Sequence, residues 1–164
     1  LDEAACAEMK RQGTFLVATL ALLDRVVNTP GVPEYAKRKA EPMFERHLQS
    51  FRLAVEMGVK IGSGSDAFSD PVTPFGRYNS HEIELQQQAG LAPLDALRAA
   101  TSSNAQLLGF GDDLGSLEPG KLADLLVVRG DLTNDVRPVT QPDNLATIMQ
   151  GGRVIPRLAD CLPQ

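Results

Sequence analysis

Apolar and polar positions fall into two rhythms along the chain, helical over long stretches and strand-like in short ones. Residues 2–12 predict a helix, with Asp2 and Glu3 at its positive end, Lys10 and Arg11 at its negative end and Gly13 as the stop. Thr14–Leu20 is an apolar, partly β-branched run of the kind buried on both faces in a parallel sheet. A loop through Asn28–Gly31 follows. Pro33 opens a helix, and Pro42 is expected to break or restart it. Phe44, Leu48, Phe51 and Val55 then recur at helical spacing up to Gly58. Val59–Ser63 reads as a second strand, so strand, helical crossover and strand make a parallel unit.

That second strand organises the rest. Gly62, Ser63, Gly64 and Ser65 have almost no bulk, which leaves room for another group to approach the backbone. They deliver Asp66 at the strand's exit, where α/β folds keep ligands and catalytic groups; the alternative is an Asp that merely fixes the next turn. Ala67–Tyr78, with Pro71, Pro74 and Gly76, predicts a long loop. Asn79-Ser80-His81-Glu82 resembles a capping box for a helix ending at Gly90. Pro93 starts another helix, Leu94–Ala100, and Ser103–Gln106 caps a third short one ending at Gly109.

Near residue 110 helical periodicity stops. Asp124–Val128, Leu145–Met149 and Val154–Ile155 predict strands, the last two joined by a Gly151-Gly152 hairpin turn. Residues 1–110 are therefore expected to form an α/β unit and residues 111–164 a small β unit. Two parallel strands cannot fill a sheet, and three strands make a poor sandwich. The expectation is a part of a larger fold, or a chain completed by another.

Composition narrows the function. With 43% hydrophobic and 23% charged residues the chain is a globular protein with a core. A net charge of −5 without a basic cluster speaks against nucleic acid, and no apolar run approaches a membrane span. Cys6 and Cys161 lack disulfide-framework or zinc spacing, and Cys6 is expected as a buried thiol. No signal peptide is evident and a cytoplasmic location is favoured, although a chain beginning with Leu makes that absence uninformative. A flavodoxin-like binding domain is disfavoured, because no Gly-rich loop joins a strand directly to a helix for phosphate binding.

Gly64-Ser65-Asp66-Ala67, Glu82–Leu85 leading into Ala89–Thr101, Asn104-Ala105 with Leu107–Gly109, and Leu114–Leu125 resemble, in this order and spacing, the amidohydrolase superfamily. The Leu16–Leu20 strand and the long helix with His47 look most like its imidazolonepropionase-like branch. That branch includes metal-dependent dipeptidases and carboxypeptidases acting on Xaa-Pro or Xaa-Arg bonds, and ochratoxin-type amidases. The resemblance covers nearly the whole chain. It implies the last part of an eight-stranded β/α (TIM-like) barrel, with Thr14–Leu20 as the seventh strand and Val59–Ser63 as the eighth. The region after Leu114 would supply the C-terminal strands of a β-sandwich.

For chemistry, the resemblance implies hydrolysis of an amide or peptide C–N bond, in a dipeptide or N-acyl amino acid, with one or two divalent metals, usually zinc. Asp66 matches the family's strand-eight ligand. There it would bind metal with one oxygen, accept a hydrogen bond from the metal-bound hydroxide with the other, and pass the proton to the leaving amine. The family's other ligands have no match in this chain: His47 and His81 are its only histidines, and neither stands at a ligand position. His47 reads as a packed or surface helix residue; His81 is a candidate for substrate contact or a role in the helix's first turn. Arg77 and Tyr78 are candidates for binding a substrate carboxylate, through a guanidinium fork and a hydroxyl. Asp124 reads as structural, fixing a turn by local hydrogen bonds. Expected partners are the small amide or dipeptide substrate and either further copies or the missing N-terminal part. The rival reading is a catalytically inactive truncated or split chain that serves as an assembly partner.

Overall fold

The computed structural model describes residues 1–67 and 77–156, with the backbone alone at Arg77. Helix α1 (Glu3–Gln12) has the expected ends: Asp2 accepts a hydrogen bond from the Ala5 amide at 2.8 Å, and Gly13 closes it in the left-handed conformation. Its Cys6 is fully buried as a free thiol.

Two strands, β1 (Phe15–Val17) and β2 (Lys60–Gly62), pair in parallel with Leu16 opposite Ile61 and Val17 opposite Gly62. The first is shorter than the apolar run predicted. Thr19 turns the chain with a φ of 55°, and Leu20 opens helix α2 (Leu20–Asn28). An apolar run alone does not separate strand from buried helix. Thr19 makes no cap, because its hydroxyl donates to the Ala18 carbonyl at 2.7 Å. The start of α2 is capped instead by Glu82, whose carboxylate accepts from the Ala21 amide at 2.7 Å. That cap lies 61 residues away in sequence.

Helix α3 (Glu34–Glu56) runs straight through Pro42, contrary to the expected break. Pro42 and Arg38 both face solvent, so water can satisfy the carbonyl that proline leaves without its amide. The next helix, α4 (Arg77–Gln88), starts before the proposed capping box, and Glu82 turns inward rather than back to an amide of its own first turn. Helices α5 (Pro93–Arg98) and α6 (Asn104–Leu107) are not separately capped. A π-helical turn, Ala99–Ser103, joins them into one helix.

A second sheet holds β3 (Leu125–Val128), β4 (Leu145–Gln150) and β5 (Arg153–Val154), antiparallel in that order. Gly151 and Gly152 both adopt positive φ, as a two-residue hairpin turn of this twist requires. Asp124 stabilises that turn from afar, accepting from the Gly151 amide at 2.6 Å, rather than fixing its own local turn. A short helix unmarked in the sequence, α7 (Arg137–Thr140), precedes β4. Phe51 and Leu20, both fully buried, lie in the same hydrophobic cluster as Val136 and Val139. Residues on both sides of position 110 therefore share one core. Among the described residues no helix is long and apolar enough to cross a membrane.

Candidate active site

The paired ladder of β1 and β2 stops at Gly62, and beyond it Ser63 and Ser65 are held by side chains from elsewhere. The Ser63 amide donates to Asn104 Oδ1 at 3.0 Å, and Asn104 Nδ2 donates to the Ser63 carbonyl at 2.7 Å. The close approach anticipated from the small residues is real. A Cβ on Gly62 would lie 2.9 Å from Asn104 Oδ1 and 3.0 Å from Val17 Cγ2, and one on Gly64 would lie 2.9 Å from Val17 Cγ1. The buried Ser65 hydroxyl donates to Asn79 Oδ1 on α4 at 2.6 Å and accepts from the Ala67 amide at 3.3 Å. Asp66 then projects at the surface with a φ of 51°, in a region that L-residues seldom occupy. Aspartate is among the few residues other than glycine that adopt it readily.

Helix α4 fastens both strand ends. Glu82, with no exposed surface, accepts from the Ala21 and Leu20 amides just beyond β1. Burial pushes its carboxyl above the ordinary range, and the two amides and Gln86 offset this only in part. One turn on, Gln86 donates to the Gly62 carbonyl of β2 at 3.0 Å; its own Oε1 is buried without a partner. His47, on α3, also reaches the end of β1 through the Ala18 backbone, and burial lowers its pKa against that bond.

His81 lies in the second turn of α4, not the first. Its Nε2 is 2.9 Å from Asp24 Oδ2 on α2, and its Nδ1 is 3.4 Å from Glu84 Oε2. The hydrogen bond with Asp24 raises the imidazole's pKa, with burial opposing and Glu84 adding to the rise. At Asp24 burial pushes upward, but bonds to His81 and Asn28 and the charges of His81 and Arg25 together bring the carboxyl below its usual value. The buried ring of Tyr78 lies under the Arg25 guanidinium, 4.5 Å from its centroid, and meets the His81 ring edge-on. The side chain of Arg77 lies outside the described residues.

An open cleft of about 1410 Å³ reaches the end of β2 at Ser63 and Gly64 and is lined further by Tyr78, His81, Asn104 and Thr140. Tyr78 and His81 thus share its wall, whereas Asp66 is not among its lining residues. Among the described residues no three His, Cys, Asp or Glu side chains gather as a metal site would require. Asp66 is one oxygen donor where a catalytic zinc takes three protein ligands, so these residues do not by themselves build a metal centre. Sequence reasoning missed Asn104, Glu82 and Gln86 as strand-end anchors. Their visible signal was the glycine pair beside Ser63, which announced a close neighbour without saying which.

The sequence profile described as the amidohydrolase family matches residues 2–155. The chain is similar to ochratoxinase of Aspergillus niger, 26% identical over 159 residues, which cover 93% of this chain and 32% of that protein. Among solved structures it resembles a Xaa-Pro dipeptidase with methionine bound in the active site, at 30% identity and a TM-score of 0.80, over 94% of this chain and 37% of that one. It also resembles a prolidase complexed with N-methylphosphonate-L-proline, at 27% identity and a TM-score of 0.79, over 96% of this chain and 38% of that one. The chain spans about a third of the length of the curated relatives it matches over most of its own length.

Proposed function

The chain belongs to the amidohydrolase family, and from that premise we propose that it is the C-terminal portion of an enzyme hydrolysing a C–N bond in a dipeptide or N-acyl amino acid. In this reading β1 and β2 are the last two strands of a β/α barrel, and residues 111–164 contribute strands to a β-sandwich. Each strand of the two-stranded parallel sheet has only one partner among the described residues, which supports completion by further strands.

Asp66 is the residue assigned to the chemistry. It takes a proton from the attacking water and returns it to the leaving amine, as a carboxylate can when held at the reacting centre. In a metal-dependent complete enzyme, with zinc as the expectation, Asp66 would be this chain's one ligand, the remaining donors lying outside it. Tyr78, His81 and Arg77 are assigned to substrate, with the carboxylate of an amino-acid product as the group they would recognise. The observation that supports the reading best is the place of Asp66: an exposed carboxylate, in a left-handed conformation, at the C-terminal exit of a parallel strand. Asp66→Asn in the complete enzyme is expected to lower turnover of an Xaa-Pro dipeptide or N-acyl amino acid by about 10²–10⁴-fold with the fold intact. Turnover at the wild-type rate would remove Asp66 from the mechanism and the reading with it.

A further inference from the structure

Beyond Gly62 the backbone of β2 has left its ladder, yet the chain must still aim a carboxylate four residues further on. Asn104 fills the vacant rung. A side-chain amide has the donor and acceptor of a peptide group, and here both are engaged by one residue, Ser63, at 3.0 and 2.7 Å. Asn104 follows the π-helical turn Ala99–Ser103. Such a turn inserts an extra residue into the helix and so redirects the side chains after it; π-turns of this kind recur at functional sites.

The surroundings are shaped to this contact. Gly62 leaves the space that Asn104 Oδ1 occupies, since a methyl there would stand 2.9 Å from that oxygen. Behind the turn, Gly115 presses so close that a Cβ would lie 2.7 Å from Ala105 Cβ and 2.8 Å from Ser102 Cα. The helix that carries Asn104 is thus packed from behind, and Asn104 itself is bonded in front.

We infer that Asn104 is a positioning residue for Asp66: it fixes the strand end from which the Asp66 backbone projects. The two anchors of that segment are Asn104 on Ser63 and Asn79 on Ser65. Losing the first frees the peptide planes between Ser63 and Asp66, and the direction in which Asp66 projects is no longer fixed. The inference rests on the functional reading of Asp66 above.

The test uses the complete enzyme with three variants: Asn104→Ala, the near-isosteric Asn104→Asp, and Asp66→Asn. The folded fraction of each is measured by circular dichroism. Asn104→Ala is expected to lower kcat by about ten- to a hundredfold with KM little changed, as a misplaced catalytic group does. Asn104→Asp keeps the side chain's shape and the bond from the Ser63 amide but loses the donor to the Ser63 carbonyl. It is expected to lower kcat with KM little changed as well, and it serves where the alanine variant does not fold. Inactive Asp66→Asn alongside a folded Asn104 variant with the wild-type kcat overturns the inference and leaves the functional reading standing. So does a loss of kcat that merely tracks the unfolded fraction. Wild-type turnover in Asp66→Asn instead removes the functional reading, and the inference falls with it.

Discussion

Gly115→Ala is the substitution on which the packing of the 111–121 loop against the π-helical turn can be judged. The residue has a φ of 89°, so an alanine there pays first for a left-handed backbone, about 1–2 kcal/mol. Its methyl would then stand 2.7 Å from Ala105 Cβ, 2.8 Å from Ser102 Cα and 3.0 Å from the Thr101 carbonyl oxygen. Two of these neighbours are helix backbone, which cannot swing aside as a flexible side chain would. Relief by shifting the loop is an overpacking cost of about 1–3 kcal/mol. The smaller entropy of the unfolded chain returns about 0.4–1 kcal/mol. The net expectation is about 2–4 kcal/mol of destabilisation, a large share of the roughly 5–15 kcal/mol that holds a domain folded.

Gly120→Ala is the matched control, because Gly120 has a φ of 93° but no neighbour within 4 Å of a built Cβ. It should lose only the backbone contribution. Urea unfolding of the full chain, followed by circular dichroism, gives both values from midpoints at a common slope. The difference between the variants isolates the clash. Equal midpoints for Gly115→Ala and Gly120→Ala would show that the loop does not press on the turn that presents Asn104.

The pH dependence of stability supplies two further predictions. His81 has a raised pKa when folded, so its contribution is complete below its unfolded value of about 6.5 and is lost as pH rises through the folded value. Asp24 is lowered, so its contribution is present above its unfolded value of about 3.9 and is lost as pH falls through the folded value. The stability difference between wild type and His81→Gln, measured by urea unfolding, should therefore be larger near pH 5.5 than near pH 8.5; an equal difference would mean that Asp24 and Glu84 do not hold a charged imidazole. Glu82 behaves oppositely to Asp24: its raised carboxyl favours the folded state below about pH 4.3, and that benefit is lost as pH rises. Glu82→Gln, which removes the ionisation, should gain on wild type as pH rises from about 4.3 through the folded value and level off above it, and a pH-independent difference would refute the buried-charge account.

Much of the architecture was legible because it depends on local chemistry. Asp2 and Gly13 bound α1, Pro93 opens α5, and Gly151-Gly152 turns β4 into β5, each for reasons confined to a few residues. The failures share a cause as well. Leu20–Asn28 was not read as a helix, and Glu82 was assigned to a cap of its own helix, because the group that caps α2 arrives from 61 residues away. Asn104 read as a member of a helix cap because a π-turn has no sequence marker and its partner, Ser63, lies 41 residues upstream. Tyr78 and His81 were named as candidates from their nearness to the loop after Asp66. Their attachment to Arg25 and Asp24 could not be read from spacing, since α2 meets α4 only in the folded chain.

By itself the sequence determined where chain segments stiffen and turn, the parallel pairing of two strands, the presence of one carboxylate at a strand exit, and the family pattern around it. These follow from side-chain size, backbone preference and periodicity, which act over a few residues. Only the tertiary structure decided how the strand ends beside that carboxylate are held: an asparagine, a glutamate and a glutamine from distant helices supply hydrogen bonds that the shortened strands lack. Buried backbone groups must find partners wherever the fold brings them, and that requirement is settled by the assembled chain, not by its neighbours in sequence.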